Sequence, residues 1–174
     1  MDEVMFKNEF VRDESCAKAL YQYWFFKRPM FIAFYCYGVL CIIGSVWATL
    51  VGLCDPEISV PLFLVVALSL VVFILSYFRN VRVMVDRDRE LSNGGGLFVT
   101  VTVDDDKITC TNVSGSMSLR LDQIKNVAVH GGYIFIMTKA SFVYAMKEDS
   151  FTVGDSESLL KFLASKGIKV KKVN

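Results

Sequence analysis

The side chains that could carry chemistry are few and scattered. The single histidine, His130, precedes two glycines, and no cysteine or aspartate stands near it at metal-ligand spacing. Asp104, Asp105 and Asp106 are adjacent, whereas a calcium loop spreads its ligands over about twelve residues and ends on a distal acid. We therefore interpret His130 as the end of a hairpin strand and the three aspartates as a solvated turn.

The five cysteines show no redox or metal motif either. Cys16 and Cys110 lie in polar segments, and we expect them to be free thiols in a reducing cytosol. Cys36, Cys41 and Cys54 lie in or beside an apolar stretch, and Cys54 is placed to cross-link two chains. Because no nucleophile–base pair or carboxylate pair can be named, we expect no enzyme, no catalytic residue, no cofactor and no metal.

Two uncharged stretches, Met30–Leu53 and Val60–Phe78, dominate a chain of 174 residues that is 53% hydrophobic. As helices they would be about 36 and 28 Å long, against a hydrocarbon core of about 30 Å. The first stretch begins too far from residue 1 and is too long for a secretory signal peptide. The pattern predicts a transmembrane hairpin over residues 30–78.

The charges around this hairpin predict its orientation. The connecting loop Cys54–Ser59 has two acidic residues and no lysine or arginine, whereas basic residues flank both outer ends. The positive-inside rule then predicts a multi-pass protein of the cytoplasmic (plasma) membrane with both termini in the cytoplasm. Within the loop, Ser59 is the expected cap of the second helix, with Pro61 in its first turn.

Gly44, Ala48 and Gly52 recur every four residues in the first span, a spacing that allows close helix packing. They fit either a self-association face or the seam between the two spans, and we favour the seam. Neither span contains an ionisable residue of the kind that transporters and intramembrane enzymes use.

The segments beside the hairpin predict further structure. Residues 1–29 contain a short strand around Met5–Val11 and then a helix over Asp13–Phe26, capped by Asp13, that fits either the membrane interface or a soluble domain. Residues 79–96 fit a helix continuing from the second span, with a strand as the alternative. Ser92–Gly96 then ends it as a glycine linker.

Residues 97–174 change to the pattern of short strands with turns between them. One helix follows over Asp155–Lys166, with Gly167 as its end. The chain is thus predicted as an α+β membrane protein, in which a transmembrane hairpin precedes a small antiparallel β domain closed by a C-terminal helix. The six predicted strands are Leu97–Val103, Lys107–Asn112, Met117–Leu121, Gln123–His130, Tyr133–Thr138 and Phe142–Met146.

This architecture resembles the bacterial YcxB-like membrane proteins. The resemblance is carried by Leu121–Val127, Gly132–Ile136, Ser150–Asp155 and Leu159–Leu163, whereas Met146–Asp149 departs from the family pattern, which often has proline-lysine there. It implies a pleckstrin-homology-like (PH-like) cytoplasmic domain with no established activity. It also implies that the strand around Met5–Val11 joins the sheet.

Lys166, Lys169, Lys171 and Lys172 form a basic tail that fits either contact with an anionic membrane surface or a solvated chain end. The tail also matches a dilysine retrieval signal. The formal net charge of +1 gives no reason to expect nucleic acid as a partner. We expect the lipid bilayer, a cytoplasmic protein and a second copy of the chain as candidate partners. The leading hypothesis is a membrane-anchored module that binds a protein segment or a lipid headgroup, and the alternative is a small oligomeric pore.

Overall fold

The computed structural model describes residues 4–27, 29–53 and 55–172. Arg28, which contributes to the predicted orientation, Cys54, and the end of the dilysine match lie outside the described residues. The chain divides into two compact units. The hairpin unit is Tyr21–Arg82, and the β unit combines the residues up to Leu20 with those from Val83 onward.

The elements alternate between the two units along the chain. Strand β1 and helix α1 come first, a π-helical turn at Tyr23–Lys27 follows, and two long helices precede the remaining strands. The helices are α1 (Glu14–Gln22), α2 (Pro29–Leu50), α3 (Pro56–Leu91) and α4 (Ser156–Ser165). The strands are β1 (Phe6–Arg12), β2 (Leu97–Val103), β3 (Lys107–Asn112), β4 (Gly115–Arg120), β5 (Ile124–His130), β6 (Tyr133–Thr138), β7 (Val143–Lys147), β8 (Phe151–Val153) and β9 (Val170–Lys172).

Helices α2 and α3 are both long and apolar enough to cross a membrane. The predicted second helix was placed too late, since α3 begins at Pro56 and Ser59 lies inside it. Asp55 takes the capping role, because its Oδ1 accepts a hydrogen bond from the Glu57 N–H at 3.1 Å, and proline is favoured at the first helical position. Pro61 therefore lies beyond the first turn. The continuing helix over residues 79–91 is confirmed, as is its end before the glycine linker.

Aromatic rings pack α2 against α3 and against the π-helical turn. Phe73 of α3 contacts Phe31, Phe34 and Tyr35 of α2, with ring centroids 5.2–5.7 Å apart. Phe25, in the π-helical turn, lies 4.9 Å from Phe73. The start of α2 is therefore fixed beside the middle of α3.

The β unit, predicted as a small antiparallel domain of six strands, contains two sheets. One sheet has the order β4-β3-β2-β1-β8, and the other has the order β7-β6-β5-β9. The predicted strands lie within a few residues of β2 to β7, but β8 and β9 were missed. The pairing of β5 with β9 is parallel, so the all-antiparallel prediction is wrong for this pair.

The N-terminal strand joins the domain in the interior of the first sheet. β1 pairs with β2 along its whole length, from Phe6 opposite Val103 to Arg12 opposite Leu97, and its other edge pairs with β8. The two segments that flank the hairpin in sequence thus form adjacent strands. The β unit cannot be assembled from residues 97–172 alone without losing an interior strand.

Two helices close the β unit, and an aspartate caps each of them, as predicted for Asp13. Asp13 Oδ1 accepts from the Cys16 N–H at 3.1 Å, and Asp155 Oδ1 accepts from the Ser158 N–H at 2.9 Å. α4 buries Leu159, Leu160 and Leu163, as its predicted apolar face requires. Gly167 follows α4 at φ +81°, where a side chain would be strained.

Candidate binding surfaces

The predicted glycine stripe is not the seam of the hairpin among the described residues. A Cβ at Gly44 or Gly52 would meet no atom within 4 Å. Close packing occurs instead at Gly38, where a Cβ would lie 3.3 Å from Leu70. Ala48 is half-buried, and the role of the stripe in self-association stays a prediction.

A cavity of about 220 Å³ lies between α2 and α3, lined by Ser45, Val46, Thr49, Leu50, Val60 and Phe63. Its walls are almost entirely apolar. The Ser45 hydroxyl donates to the Ile42 carbonyl, and the Thr49 hydroxyl donates to the Ser45 carbonyl. These local bonds use the hydroxyl donors within α2, so the two hydroxyls can offer a ligand in the cavity only their acceptor oxygens.

The predicted basic tail is folded and is not a loose chain end. Lys171 and Lys172 lie in β9, and the Lys169 carbonyl accepts from the Val127 N–H at 2.9 Å. Lys166 is engaged elsewhere, since its Nζ donates to Asp105 at 2.7 Å and lies over the Phe162 ring. Lysines on an edge strand discourage pairing with another chain. Contact with a membrane surface stays a prediction for all four.

Asn8 joins the two sheets and is fully buried. Its side-chain amide donates to the Lys147 carbonyl at 2.8 Å and accepts from the Lys147 N–H at 3.1 Å. The Asn8 amide therefore bonds to the backbone of β7 as a neighbouring strand would. The signal in the sequence was a polar residue between Phe6 and Phe10 on the face that alternation assigns to the core.

Arg12 and Asp88 form a bidentate ion pair that joins β1 to α3 within the β unit. Arg12 Nε donates to Asp88 Oδ2 at 2.7 Å, and the second guanidinium nitrogen donates to Oδ1. Burial alone would lower the pKa of Arg12, but the hydrogen bond and the charge of Asp88 outweigh it and raise the pKa. No sequence pattern predicts this pair, whose members are 76 residues apart in the chain.

The start of α1 contacts the β5–β6 hairpin. A hydrogen bond of 2.5 Å joins Ser15 Oγ to Tyr133 Oη, and Ser15 Oγ also donates to Asp13 at 2.6 Å. Burial raises the pKa of Asp13, but the hydrogen bonds from Ser15 and Cys16 outweigh it and lower the pKa. A Cβ at Gly131 would lie 3.1 Å from the Ala19 Cβ, so glycine at this turn lets α1 pack closely against it.

Cys16 is fully buried beneath this contact. Burial raises the pKa of its thiol to about 12, so its thiolate is scarce near neutral pH. The four described cysteines are all free thiols, as predicted. Cys16 is therefore suited to reporting unfolding of the β unit and is poorly suited to chemistry.

The three adjacent aspartates differ from the predicted solvated turn at one position. Asp104 is only 6% exposed, and its carboxylate lies 3.8 Å from the Lys107 ammonium. Its N–H donates to the Lys107 carbonyl at 2.9 Å, so this turn draws the side chain inward. Among the described residues, no three His, Cys, Asp or Glu side chains are grouped to hold a metal ion.

The edges of the two sheets are the remaining candidate surfaces. β8 and β9 are edge strands of three residues each, and the amide of Asn8 occupies one end of edge strand β7. The fourth edge strand, β4, has six residues and is exposed along nearly its whole length. It is the longest edge among the described strands, and sequence reasoning did not single it out.

No protein-family model matches the chain, and no curated protein matches it. The resemblance to YcxB-like proteins therefore stays a prediction.

Proposed function

We propose that this chain is a membrane-anchored, non-enzymatic binding module in which α2 and α3 span the bilayer. The apolar side chains of both helices support this proposal, since they point outward around the hairpin. Leu40, Leu50 and Leu68 are 66%, 80% and 64% exposed, far above the values expected for a core helix. Lipid is the environment in which such surfaces are stable.

The observation that carries the proposal is the place of β1. β1 precedes the hairpin and β2 follows it, yet the two strands are hydrogen-bonded neighbours in one sheet. Both ends of the hairpin must then emerge on the same side of the bilayer for the β unit to fold. An even number of spans satisfies this requirement, and the hairpin supplies two.

The cytoplasmic side is the proposed location of the β unit, and a bacterial plasma membrane the proposed location of the chain. Arg79, Arg82, Arg87 and Arg89 follow the apolar part of α3, whereas the turn before α3 has Asp55 and Glu57. The two-sheet unit closed by α4 is compatible with the PH-like domain implied by the YcxB resemblance. Its proposed ligand is a protein segment or a lipid headgroup bound at strand edges and loops.

Labelling by a membrane-impermeant maleimide tests the topology in intact bacteria. Asp55→Cys and Asp149→Cys place thiols at two exposed positions in a Cys54→Ser chain, with the Cys54→Ser chain as background. We expect labelling at position 55 in intact cells and at position 149 only after permeabilisation. Peptide-resolved mass spectrometry identifies the labelled residue.

Three results would contradict parts of the proposal separately. Labelling of both positions in intact cells would overturn the two-span topology. Labelling of position 149 alone would place the β unit outside and overturn only the orientation. Recovery of the intact chain as a monodisperse species in buffer without detergent would overturn membrane anchoring itself.

A small oligomeric pore is the second candidate function. The observation in its favour is that Gly44 and Gly52 are open to a neighbouring helix. A pore predicts ion flux through liposomes that contain the full chain, reduced by Gly44→Leu. A membrane-anchored binding module predicts no flux from either chain.

A further inference from the structure

The backbone of β4 has one side paired and one side open. The Leu121 N–H donates to the Asp106 carbonyl, and this register continues through Ile108 opposite Leu119 and Cys110 opposite Met117. Because alternate residues of an antiparallel strand bond to opposite sides, the N–H and C=O groups of Ser116, Ser118 and Arg120 point away from β3. No described element pairs with that side of β4.

Most side chains of β4 lack the features that usually keep an edge strand from pairing with another chain. Gly115–Leu119 contains no charge and no proline, whereas β9 carries lysines. Ser118 Oγ is hydrogen-bonded to Thr109 at 2.8 Å, and Ser116 Oγ to Thr111 at 3.1 Å, so side chains as well as backbone bonds hold β4 on β3. Apart from Arg120 at its end, β4 is an uncharged edge.

The core-facing side of the sheet also extends to this edge. Across the sheet, Asn8, Val101, Cys110 and Met117 form one row on the core-facing side. The first two are fully buried, Cys110 is half-buried, and Met117 is 42% exposed. Met117, the last residue of this row, is therefore only partly covered. One further strand beside β4 would cover it and extend the row.

We propose that the occupant of this edge is β4 of a second copy, paired antiparallel about a two-fold axis at Ser118. In this register Ser118 faces Ser118 of the second copy and Ser116 faces Arg120, so no like charges meet. Met117 faces Leu119 on the core side, which extends the apolar row in both copies. All the outward backbone groups find partners, and the interface is self-complementary, as two-fold symmetry requires.

Cysteine cross-linking of the full chain in its membranes tests the register. Ser118→Cys would place two thiols on residues whose Cα atoms are about 5.5 Å apart, within the range of about 4.4–6.8 Å for a disulfide. Ser116→Cys is the matched control, because its two copies would be about 14 Å apart along the strands. We expect several-fold more oxidised dimer from Ser118→Cys than from Ser116→Cys or the wild type, with a linked peptide containing position 118 from both chains.

A proline variant tests whether the backbone edge carries the contact. Because the Ser118 N–H points outward, Ser118→Pro removes no backbone hydrogen bond to β3 and loses only the side-chain bond to Thr109, but it blocks an added strand. We expect the full chain in detergent micelles to change from dimer to monomer, with Cys16 still protected from alkylation as evidence of folding. Equal cross-linking at positions 116 and 118, a monomeric wild type, or a dimer that survives Ser118→Pro with Cys16 protected would each overturn the proposal. None of these results depends on whether the hairpin spans a bilayer.

Discussion

At the scale of residues, the β unit depends on two polar side chains in its interior, each attached to β1. Asn8 supplies hydrogen bonds to β7, and Arg12 supplies charge to Asp88, whose side chain is 7% exposed. A buried polar group without its partner is costly, so both residues fix β1 in one register and position.

Asp88→Asn is expected to destabilise the β unit by about 3 kcal/mol, because it leaves the Arg12 guanidinium without its opposite charge. The free energy of unfolding is measured by denaturant titration of the full chain in micelles, with alkylation of Cys16 as the signal that the β unit has unfolded. Asp122→Asn is the matched control. Asp122 is 64% exposed and lies 3.6 Å from Arg120, so its loss should change the free energy of unfolding by about 0.5 kcal/mol or less. Equal effects of the two variants would show that the Arg12–Asp88 pair stabilises the β unit no more than an exposed ion pair does.

At the scale of elements, the local patterns were predictable. Of their assembly in the β unit, only the joining of the N-terminal strand to the sheet was expected, and this came from the resemblance. Alternation and turn residues located β2 to β7. The capping Asp13 located α1, and helical periodicity with Gly167 as its end located α4. β8 and β9 have three residues each, which is too few for a periodic pattern, and two of the three residues of β9 are lysines. The interior place of β1 depends on pairing across a long sequence separation, which no local signal encodes. The Arg12–Asp88 pair escaped prediction for the same reason. Alternation marks Asn8 as a polar residue at a core position, but it does not identify β7 as its partner.

β1 as an element has its own prediction. Deleting residues 1–12 removes the strand between β2 and β8 and opens the core that Phe6 and Phe10 fill. We expect Cys16 to become reactive to iodoacetamide at pH 8 and the chain to be degraded in cells, although every residue from 97 onward is present. Deleting residues 1–4 is the control and should leave Cys16 protected. Protection of Cys16 in the longer deletion would mean that the β unit folds without its N-terminal strand.

At the scale of the whole molecule, the hairpin and the β unit impose conditions on each other. The β unit is made from segments on both sides of the hairpin, so it cannot close until α2 and α3 have been synthesised. Under the proposed function, insertion of both spans returns the chain to the side of the bilayer on which β1 already lies. Folding of the β unit then reports correct insertion of the hairpin.

Changing the number of spans tests this dependence. Deleting residues 30–53 leaves one span, which would place β1 and β2 on opposite sides of the bilayer, where they cannot pair. We expect Cys16 to become reactive in membranes that contain this variant. Replacing residues 30–53 with an unrelated Leu/Ala helix of equal length restores two spans, and Cys16 should be protected again, because only the parity of the spans matters to the sheet. If the one-span variant protects Cys16 as well as the replacement does, the two ends of the hairpin do not need to share a side.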